Sequence, residues 1–130
     1  MSGEITWVYA IAARTLFDDA GNILAVGCDF RPPYSGNDQW RDDPTAGGVV
    51  GHGPLPPGLY RIGPVYDDPH LGPHVMHLDP EGWDGGGRTV IRCHGDNSRG
   101  DASASDGCLI LPLALRQALS SSAALLLVTA

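Results

Sequence analysis

Short apolar segments separated by polar turns make up most of the chain. EITWVYAIA at 4–12 alternates large apolar side chains with smaller ones, which predicts a β-strand with aromatic content. Two apolar runs around DDAGN at 15–26 predict a β-hairpin, because Asp, Gly and Asn favour tight turns. The same pattern predicts further strands at 59–65, 74–78, 88–93 and 124–129.

One segment has helical rather than strand spacing. PLALRQALSSS at 112–122 begins with Pro112, a residue favoured in the first turn of a helix, and Arg116 is predicted to lie on its surface. A long loop is predicted at 30–53. The sum predicts a mainly β fold, a β-sandwich or barrel-like sheet with one short helix. The 130 residues predict a single domain over 1–130, and the 18 glycines and 11 prolines fit its many turns.

The net charge of −7 argues against binding partners that are themselves strongly negative, such as nucleic acids. No cluster of Lys or Arg is present to bind phosphates, so we expect no nucleic-acid partner. The longest apolar run near the end, at 123–128, is too short to cross a bilayer, so no membrane insertion is expected. The first residues lack the pattern of a signal peptide. We therefore predict synthesis in the cytoplasm, with any later export by a specialised route.

The three cysteines, Cys28, Cys93 and Cys108, cannot form a complete disulfide framework, because their number is odd. A bridge between Cys28 and Cys93 stays open from the sequence alone. The cysteines do not have the spacing of a zinc site. His70, His74 and His77 would share one face of a helix, but prolines and apolar residues in their segment favour a strand, so no metal site is predicted.

The segment IRCHGDNSRGDASASDGCLIL places His94 and Cys108 at the two ends of a polar loop. A thiol becomes a nucleophile when a neighbouring histidine takes its proton, and backbone N–H groups can hold the oxyanion that follows. Side chains alternate along a strand, so Cys93 points away from His94 and into the core. Cys108 is therefore the candidate nucleophile, and Gly107 before it permits backbone conformations that are closed to other residues.

HGDN followed by SDGCLIL resembles the L,D-transpeptidase catalytic domain, which has a His-Gly strand end and a [Ser/Thr]-x-Gly-Cys motif. The chain is most similar to the Tlde1 branch of that superfamily, also called DUF2778. YSG, GPLPPGLYRI and LGPHVMHLDP carry this closer likeness. The resemblance implies that His94 is the general base and Cys108 the nucleophile. It implies that Ser105 and Gly107 shape the nucleophile turn, where the amide of Cys108, with that of Gly107, forms the oxyanion hole.

The resemblance also implies a reaction on peptidoglycan that needs no metal and no organic cofactor. Cys108 would attack a carbonyl of a tetrapeptide stem and expel the terminal D-alanine. Hydrolysis of the thioester makes the protein an L,D-carboxypeptidase, and attack by an amine makes it an L,D-transpeptidase or an exchanger of D-amino acids. Some members of the branch are delivered by type VI secretion. An antibacterial effector would act as a toxin in the periplasm or cell wall of a target cell and would have a cognate immunity protein.

Several residues near the pair are candidates for substrate binding. Arg92 shares a strand face with His94 and could hold a substrate carboxylate. Gly95, Asp106 and Tyr34 are further candidates. Many L,D-transpeptidases have a histidine where this chain has Asp106. An acidic neighbour does not favour a thiolate, so the activation of the thiol would depend more heavily on His94.

Two other classes of function remain open from the sequence. One is a cysteine peptidase or amidase of another fold. The order of His94 before Cys108 disfavours the papain-like and NlpC/P60-like domains, in which the cysteine comes first. The other is a peptidoglycan-binding module that has kept the fold and lost the chemistry. The acidic residue at position 106 favours this second alternative.

Overall fold

Nine strands and one α-helix form the part of the chain that the computed structural model describes, residues 5–88, 90–120 and 125–130. The strands are β1 (Ile5–Ala10), β2 (Thr15–Asp18), β3 (Ile23–Val26), β4 (Tyr34–Ser35), β5 (Gly58–Asp68), β6 (Gly72–Pro80), β7 (Arg92–His94), β8 (Leu109–Ile110) and β9 (Leu125–Thr129). The helix is α1 (Leu113–Ser120), directly after Pro112. The predicted mainly β fold with one short helix is confirmed.

The nine strands belong to one sheet that curls into a half-barrel, in the order β3-β2-β1-β9-β5-β6-β7-β8-β4. The hairpin of β5 and β6 forms its centre and is longer than the strands predicted at 59–65 and 74–78. β9 pairs in parallel with β1 and antiparallel with β5, which joins the two ends of the chain to the sheet. The barrel-like alternative is therefore the one that the protein adopts.

The core lies on the concave side of the sheet, where α1 contributes Leu119 and packs against β5 and β6. Alternate positions of the strands supply the apolar side chains, as the period of two requires. The buried cluster includes Tyr9, Leu16, Tyr60, Ile62, Met76, Leu78, Ile91, Cys93, Leu109, Leu111, Leu126 and Val128. Cys93 thus anchors β7 in the core, and Leu109 anchors β8. These two contacts fix the positions at which the loop between the strands begins and ends.

The strand predicted at 88–93 begins later, at Arg92, and the boundary matters for the site. Three glycines with positive φ form a 3-10 turn at Gly85–Gly87, and the Asp84 carboxylate accepts a hydrogen bond from Gly86 N–H at 2.9 Å. This turn directs Arg88 away from the sheet. Thr89 lies outside the described residues, and Val90 is exposed.

The segment predicted as a long loop at 30–53 is partly regular. It contains β4, which pairs antiparallel with β8, and 3-10 turns at Asp38–Trp40 and Pro44–Ala46. The prediction of an irregular segment is therefore wrong at these positions. The pairing of β4 with β8 places Ser35 opposite Leu109, next to the candidate nucleophile.

Arg116 is buried, with 6% of its surface exposed, so its predicted surface position is wrong. The helix turns this side chain under the sheet, and its Nη1 donates to the Pro73 carbonyl at 3.5 Å. Its guanidinium lies under Gly95, where a β-carbon would approach Nη2 to 2.8 Å. Within the described part of the chain, no helix is both long and apolar enough to cross a membrane.

Candidate active site

β7 and β8 run parallel and bring the two candidate catalytic residues to one face. Cys93 pairs with Leu109 and His94 with Ile110, so Cys108, one residue before β8, comes opposite Arg92. In regular strands, which lie about 4.8 Å apart and rise about 3.3 Å per residue, this register corresponds to about 8 Å between the α-carbons of His94 and Cys108. An imidazole and a thiol that point to the same side can bridge this separation.

Cys108 is partly buried and lies against Arg92. The backbone amide and the guanidinium of Arg92 both favour the thiolate form of its sulfur. Burial raises the pKa of the Cys108 thiol, and the contacts with Arg92 and the charge of Arg88 lower it in part. The thiol is therefore protonated at neutral pH and requires a base. The positive charges of Arg92 and Arg88 would stabilise the thiolate once it forms.

His94 is suited to be that base. Only 3% of its surface is exposed, and its Nδ1 lies 2.8 Å from the Gly95 carbonyl. A carbonyl can only accept, so Nδ1 carries the hydrogen and Nε2 is left to accept a proton. Burial is the main cause that lowers the pKa of His94, and Arg92 and Arg116 lower it further. The imidazole is therefore neutral at neutral pH.

The turn before the nucleophile is fixed by Ser105, which is completely buried. Its Oγ accepts from Gly36 N–H at 2.9 Å and from Gly107 N–H at 3.1 Å, and it donates to the Cys108 carbonyl at 2.6 Å. The hydroxyl of Ser35 donates to the same carbonyl at 2.8 Å. Because Gly107 N–H is engaged here, the amide of Cys108 remains as the candidate oxyanion donor.

Gly107 has a φ of +118°, a backbone conformation that favours glycine. A β-carbon at this position would lie 1.8 Å from Arg88 Nη2 and 3.1 Å from the Gly53 carbonyl. Arg88 Nη1 donates to the carbonyls of Gly47 at 3.1 Å and Pro54 at 3.2 Å. Arg88 is thus a residue of the site that the sequence did not reveal, since its direction depends on the glycine turn before it.

The predicted role of Ser105 in shaping the turn before Cys108 can be tested by measuring stability. Ser105→Ala leaves the N–H of Gly36 without its buried acceptor, and we expect the free energy of unfolding to fall by about 1–3 kcal/mol. Chemical denaturation of the two proteins measures this change. Ser98→Ala, an exposed serine of the same loop, is the control and should leave the midpoint unchanged. An equal stability of Ser105→Ala and the wild type would contradict the role of this hydroxyl.

Arg92 favours the thiolate of Cys108, and its contact with a substrate carboxylate stays a prediction. Its Nη1 also lies 3.6 Å from the carboxylate of Asp68. We expect Arg92→Met to raise the pKa of Cys108 and to slow its alkylation by iodoacetamide at pH 8 several-fold. Arg61→Met, in an exposed ion pair with Glu81, is the matched control. An unchanged alkylation rate in Arg92→Met would show that the guanidinium does not influence the sulfur.

Tyr34 lies in β4 and is fully buried, so its predicted place in a loop is wrong. Its hydroxyl donates to the Asp96 carboxylate at 2.7 Å and accepts from Ala104 N–H at 3.1 Å. The side chain packs with Ile110. Tyr34 therefore fastens both ends of the polar loop to the sheet, and this explains why an aromatic residue stands there.

Two clefts are lined by residues of the candidate site. The larger, about 600 Å³, is lined by His94 and Gly95 and by the loop that follows, with residues 70–72 on the opposite wall. The smaller, about 230 Å³, is lined by Val50, Gly51, Gly87, Arg88, Val90 and Asp106. Asp106 is exposed, and its charge raises the pKa of His94, which opposes the effect of burial. The predicted substrate-binding residues Gly95 and Asp106 thus line different clefts.

The other two cysteines do not compete for the role of nucleophile. Cys28 and Cys93 are both free, so the bridge that the sequence left open does not form. Cys93 is completely buried in the core, and burial raises its pKa to about 12. Cys28 is exposed. Cys108 is therefore the thiol that combines partial exposure with contacts to cations and with a histidine on its face.

Comparisons with known proteins identify the family of the chain. Neither the curated proteins nor the solved structures contain a significant match. A family model does match: the model described as the Tlde1 domain covers residues 31–123, which include β4 to α1 and the whole site. This is more than half of the 130 residues. The chain therefore belongs to the Tlde1 domain family.

Proposed function

We propose that this protein is a cysteine acyltransferase that modifies peptidoglycan stem peptides as an L,D-carboxypeptidase, an L,D-transpeptidase, or both. The observation that carries the proposal is the arrangement of Cys108 and His94 on one face of two paired strands, with Nδ1 of the imidazole held by the Gly95 carbonyl. A neutral base and a thiol flanked by arginines have the chemistry that acyl transfer needs. Membership of the Tlde1 domain family supports the same reaction class.

In the first half of the reaction, Nε2 of His94 takes the proton of the Cys108 thiol as the sulfur attacks the carbonyl carbon of the stem. The carbonyl oxygen becomes an oxyanion, which the amide of Cys108 is placed to hold. The C–N bond then breaks, and the imidazolium gives its proton to the leaving amine. D-alanine departs, and the acyl group remains on sulfur as a thioester.

In the second half, an acceptor attacks the thioester. Water gives a proton to His94, its oxygen bonds to the acyl carbon, and the C–S bond breaks. The thiolate leaves beside Arg92 and regains its proton from the imidazolium. An amine acceptor follows the same course and yields a new amide bond. The two cations near the sulfur favour this step, because they stabilise the departing thiolate.

The larger cleft is the proposed site of the stem peptide. His94 and Gly95 form one wall and residues 70–72 another, so a peptide lying there passes the imidazole. The glycine at position 95 leaves the guanidinium of Arg116 directly below the wall. That buried positive charge favours an anionic substrate group, such as a stem carboxylate.

We also propose that the protein is an antibacterial type VI secretion effector that acts in the cell wall of a target cell and is neutralised by an immunity protein. This rests on family membership alone. Directing the chain to the periplasm of a susceptible bacterium tests it. We expect loss of viability with the wild type and survival with Cys108→Ala. Equal survival with both would contradict the proposed toxicity.

A peptidoglycan-binding module is the second candidate. The raised pKa of Cys108 and the exposed acidic side chain of Asp106 favour it, since neither promotes a thiolate in the free protein. Binding without turnover is its signature. Retention on insoluble peptidoglycan, with no change in the muropeptides, would support the module and contradict the enzyme.

Digestion of purified disaccharide-tetrapeptides, followed by mass spectrometry, tests the proposed enzyme. Loss of one alanine would identify a carboxypeptidase. Cross-linked dimers, or replacement of the terminal residue by an added D-amino acid, would identify transfer. Unchanged tetrapeptides under all three conditions would contradict the proposal.

A further inference from the structure

The smaller cleft carries two opposite charges and an apolar rim. Arg88 lies on one wall and Asp106 on another. Val50 and Val90, which also line it, are 76% and 50% exposed. The two valines give the rim of this charged cleft a small apolar surface that a ligand side chain could cover. Together these side chains present a cation, an anion and a small apolar surface within about 230 Å³.

Neither charge is neutralised within the described residues. Arg88 donates through Nη1 to two backbone carbonyls, and its guanidinium covers Gly107. The ion pairs found in residues 5–88, 90–120 and 125–130 involve other arginines and do not include Arg88 or Asp106. A partly buried guanidinium without a carboxylate partner is a ready site for a ligand carboxylate.

We propose that this cleft binds a small zwitterionic amino acid, which is the amino acid that leaves in the first half of the reaction and the acceptor that enters in an exchange. Its carboxylate would pair with Arg88, its ammonium with Asp106, and its side chain would contact Val50 and Val90. The inference rests on the proposed acyl transfer and names the second substrate of the same site. A residue of the size of alanine fits within the volume of this cleft.

The position of Asp106 connects the cleft with the chemistry. It lies two residues before Cys108, and its charge acts on His94. An ammonium held by Asp106 would therefore lie at the turn that leads to the nucleophile. This gives the acidic residue a function at the place where many related enzymes have histidine: it does not help the thiolate to form, but it holds a cationic leaving group.

The proton balance is as follows. On release, the C–N bond breaks, and the amine receives the thiol proton through His94 and a second proton from solvent, leaving as an ammonium. On exchange, the ammonium first loses one proton to solvent. The nitrogen then attacks the thioester carbon, its second proton passes to His94, the C–S bond breaks, and the imidazolium returns that proton to sulfur. Asp106 stays ionised throughout.

Binding can be measured without turnover in the Cys108→Ala protein. We expect D-alanine to shift the NMR amide signals of Val50, Arg88 and Val90 in a saturable manner. D-lactate lacks the ammonium and D-alaninamide lacks the carboxylate, so each should bind at least about tenfold more weakly. Absence of saturable shifts at these residues up to the solubility limit of D-alanine would overturn the proposal, as would equal binding of the three compounds.

Matched variants locate the site. Adding Asp106→Asn to the Cys108→Ala protein should weaken D-alanine binding by at least about tenfold. Asp101→Asn, which removes the same charge from the same loop outside the cleft, should leave binding unchanged. Equal effects of the two substitutions would overturn the assignment of the ammonium to Asp106.

Turnover measured in parallel separates the two proposals. If the wild type releases alanine from tetrapeptide stems and D-alanine does not bind the cleft, the acyl transfer stands and the amino-acid site falls. If D-alanine binds as described and stems are never cleaved, the site stands and the acyl transfer falls.

Discussion

Replacement of Cys108 by alanine is expected to lower the rate of alanine release from tetrapeptide stems at least about a thousandfold. The thioester cannot form without the sulfur, and no other thiol of the chain lies on this face. Cys93 is buried in the core, and Cys28 is exposed, outside the strands that carry the site. Separation of the muropeptides by chromatography, with mass detection of tri- and tetrapeptides, measures the rate.

Cys28→Ala is the matched control for this substitution. It removes an exposed free thiol and should leave the rate of alanine release at the wild-type value. Circular dichroism spectra of both variants should match the wild type, because Cys108 is only partly buried and alanine fits its space. Retention of more than a tenth of the rate by the Cys108→Ala protein would refute the role of this sulfur.

His94→Gln is expected to reduce kcat/KM by a factor of about 10² to 10⁴, the usual contribution of a general base. Glutamine keeps a donor for the Gly95 carbonyl and a similar volume, so the loss should reflect the missing proton acceptor. His77→Gln, an exposed position on β6, is the control and should retain the wild-type value. Equal rates in the two variants would contradict the assignment of the base.

The pH dependence of kcat/KM in the wild type is a second test of His94 as the base. Burial and the neighbouring arginines lower the pKa of His94, so the neutral form persists as the pH falls below the ordinary histidine value of about 6.5. The acidic limb of kcat/KM should therefore lie below that value, and activity should decline only as the pH falls through the lowered pKa. A limb clearly above 6.5 would contradict this picture of the imidazole.

The burial of Cys93 and the conformation at Gly107 could be predicted from the sequence because they depend on local rules. Alternation along β7 sends Cys93 to the core and His94 to the opposite face, whatever the rest of the fold does. The glycine at position 107 likewise signals a conformation that few residues adopt. The parallel pairing of β7 with β8 did not follow from these rules, because neighbouring segments more often pair antiparallel through a tight turn.

The surroundings of the site could not be predicted, because they depend on contacts between distant segments. Arg88 reaches Gly107 only because a glycine turn precedes it, and Arg116 is buried only because α1 packs under β6. Tyr34 is buried because β4 adds to the edge of the sheet beside β8. An arginine in an apparently amphipathic helix is usually exposed, so the pattern gave no sign of its role.

The effect of Arg116 on His94 explains why a charged residue is buried under the candidate site. Arg116 lies beneath Gly95, adjacent in the chain to His94, and its charge disfavours the imidazolium. Its Nε is buried with no hydrogen-bond partner in the described residues, a cost of folding that a purely structural residue would avoid. Such a cost is expected where a fold maintains a neutral base.

Intact-protein mass spectrometry after brief mixing with disaccharide-tetrapeptide tests the central claim most directly, because it observes the bond to sulfur itself. We expect a mass increase equal to the disaccharide-tripeptide acyl group, located by peptide mapping to Cys108 and removed by hydroxylamine. The Cys28→Ala protein should acquire the same adduct and the Cys108→Ala protein none. Turnover of the stems without an adduct at any time, or an adduct on another residue, would contradict catalysis through a Cys108 thioester.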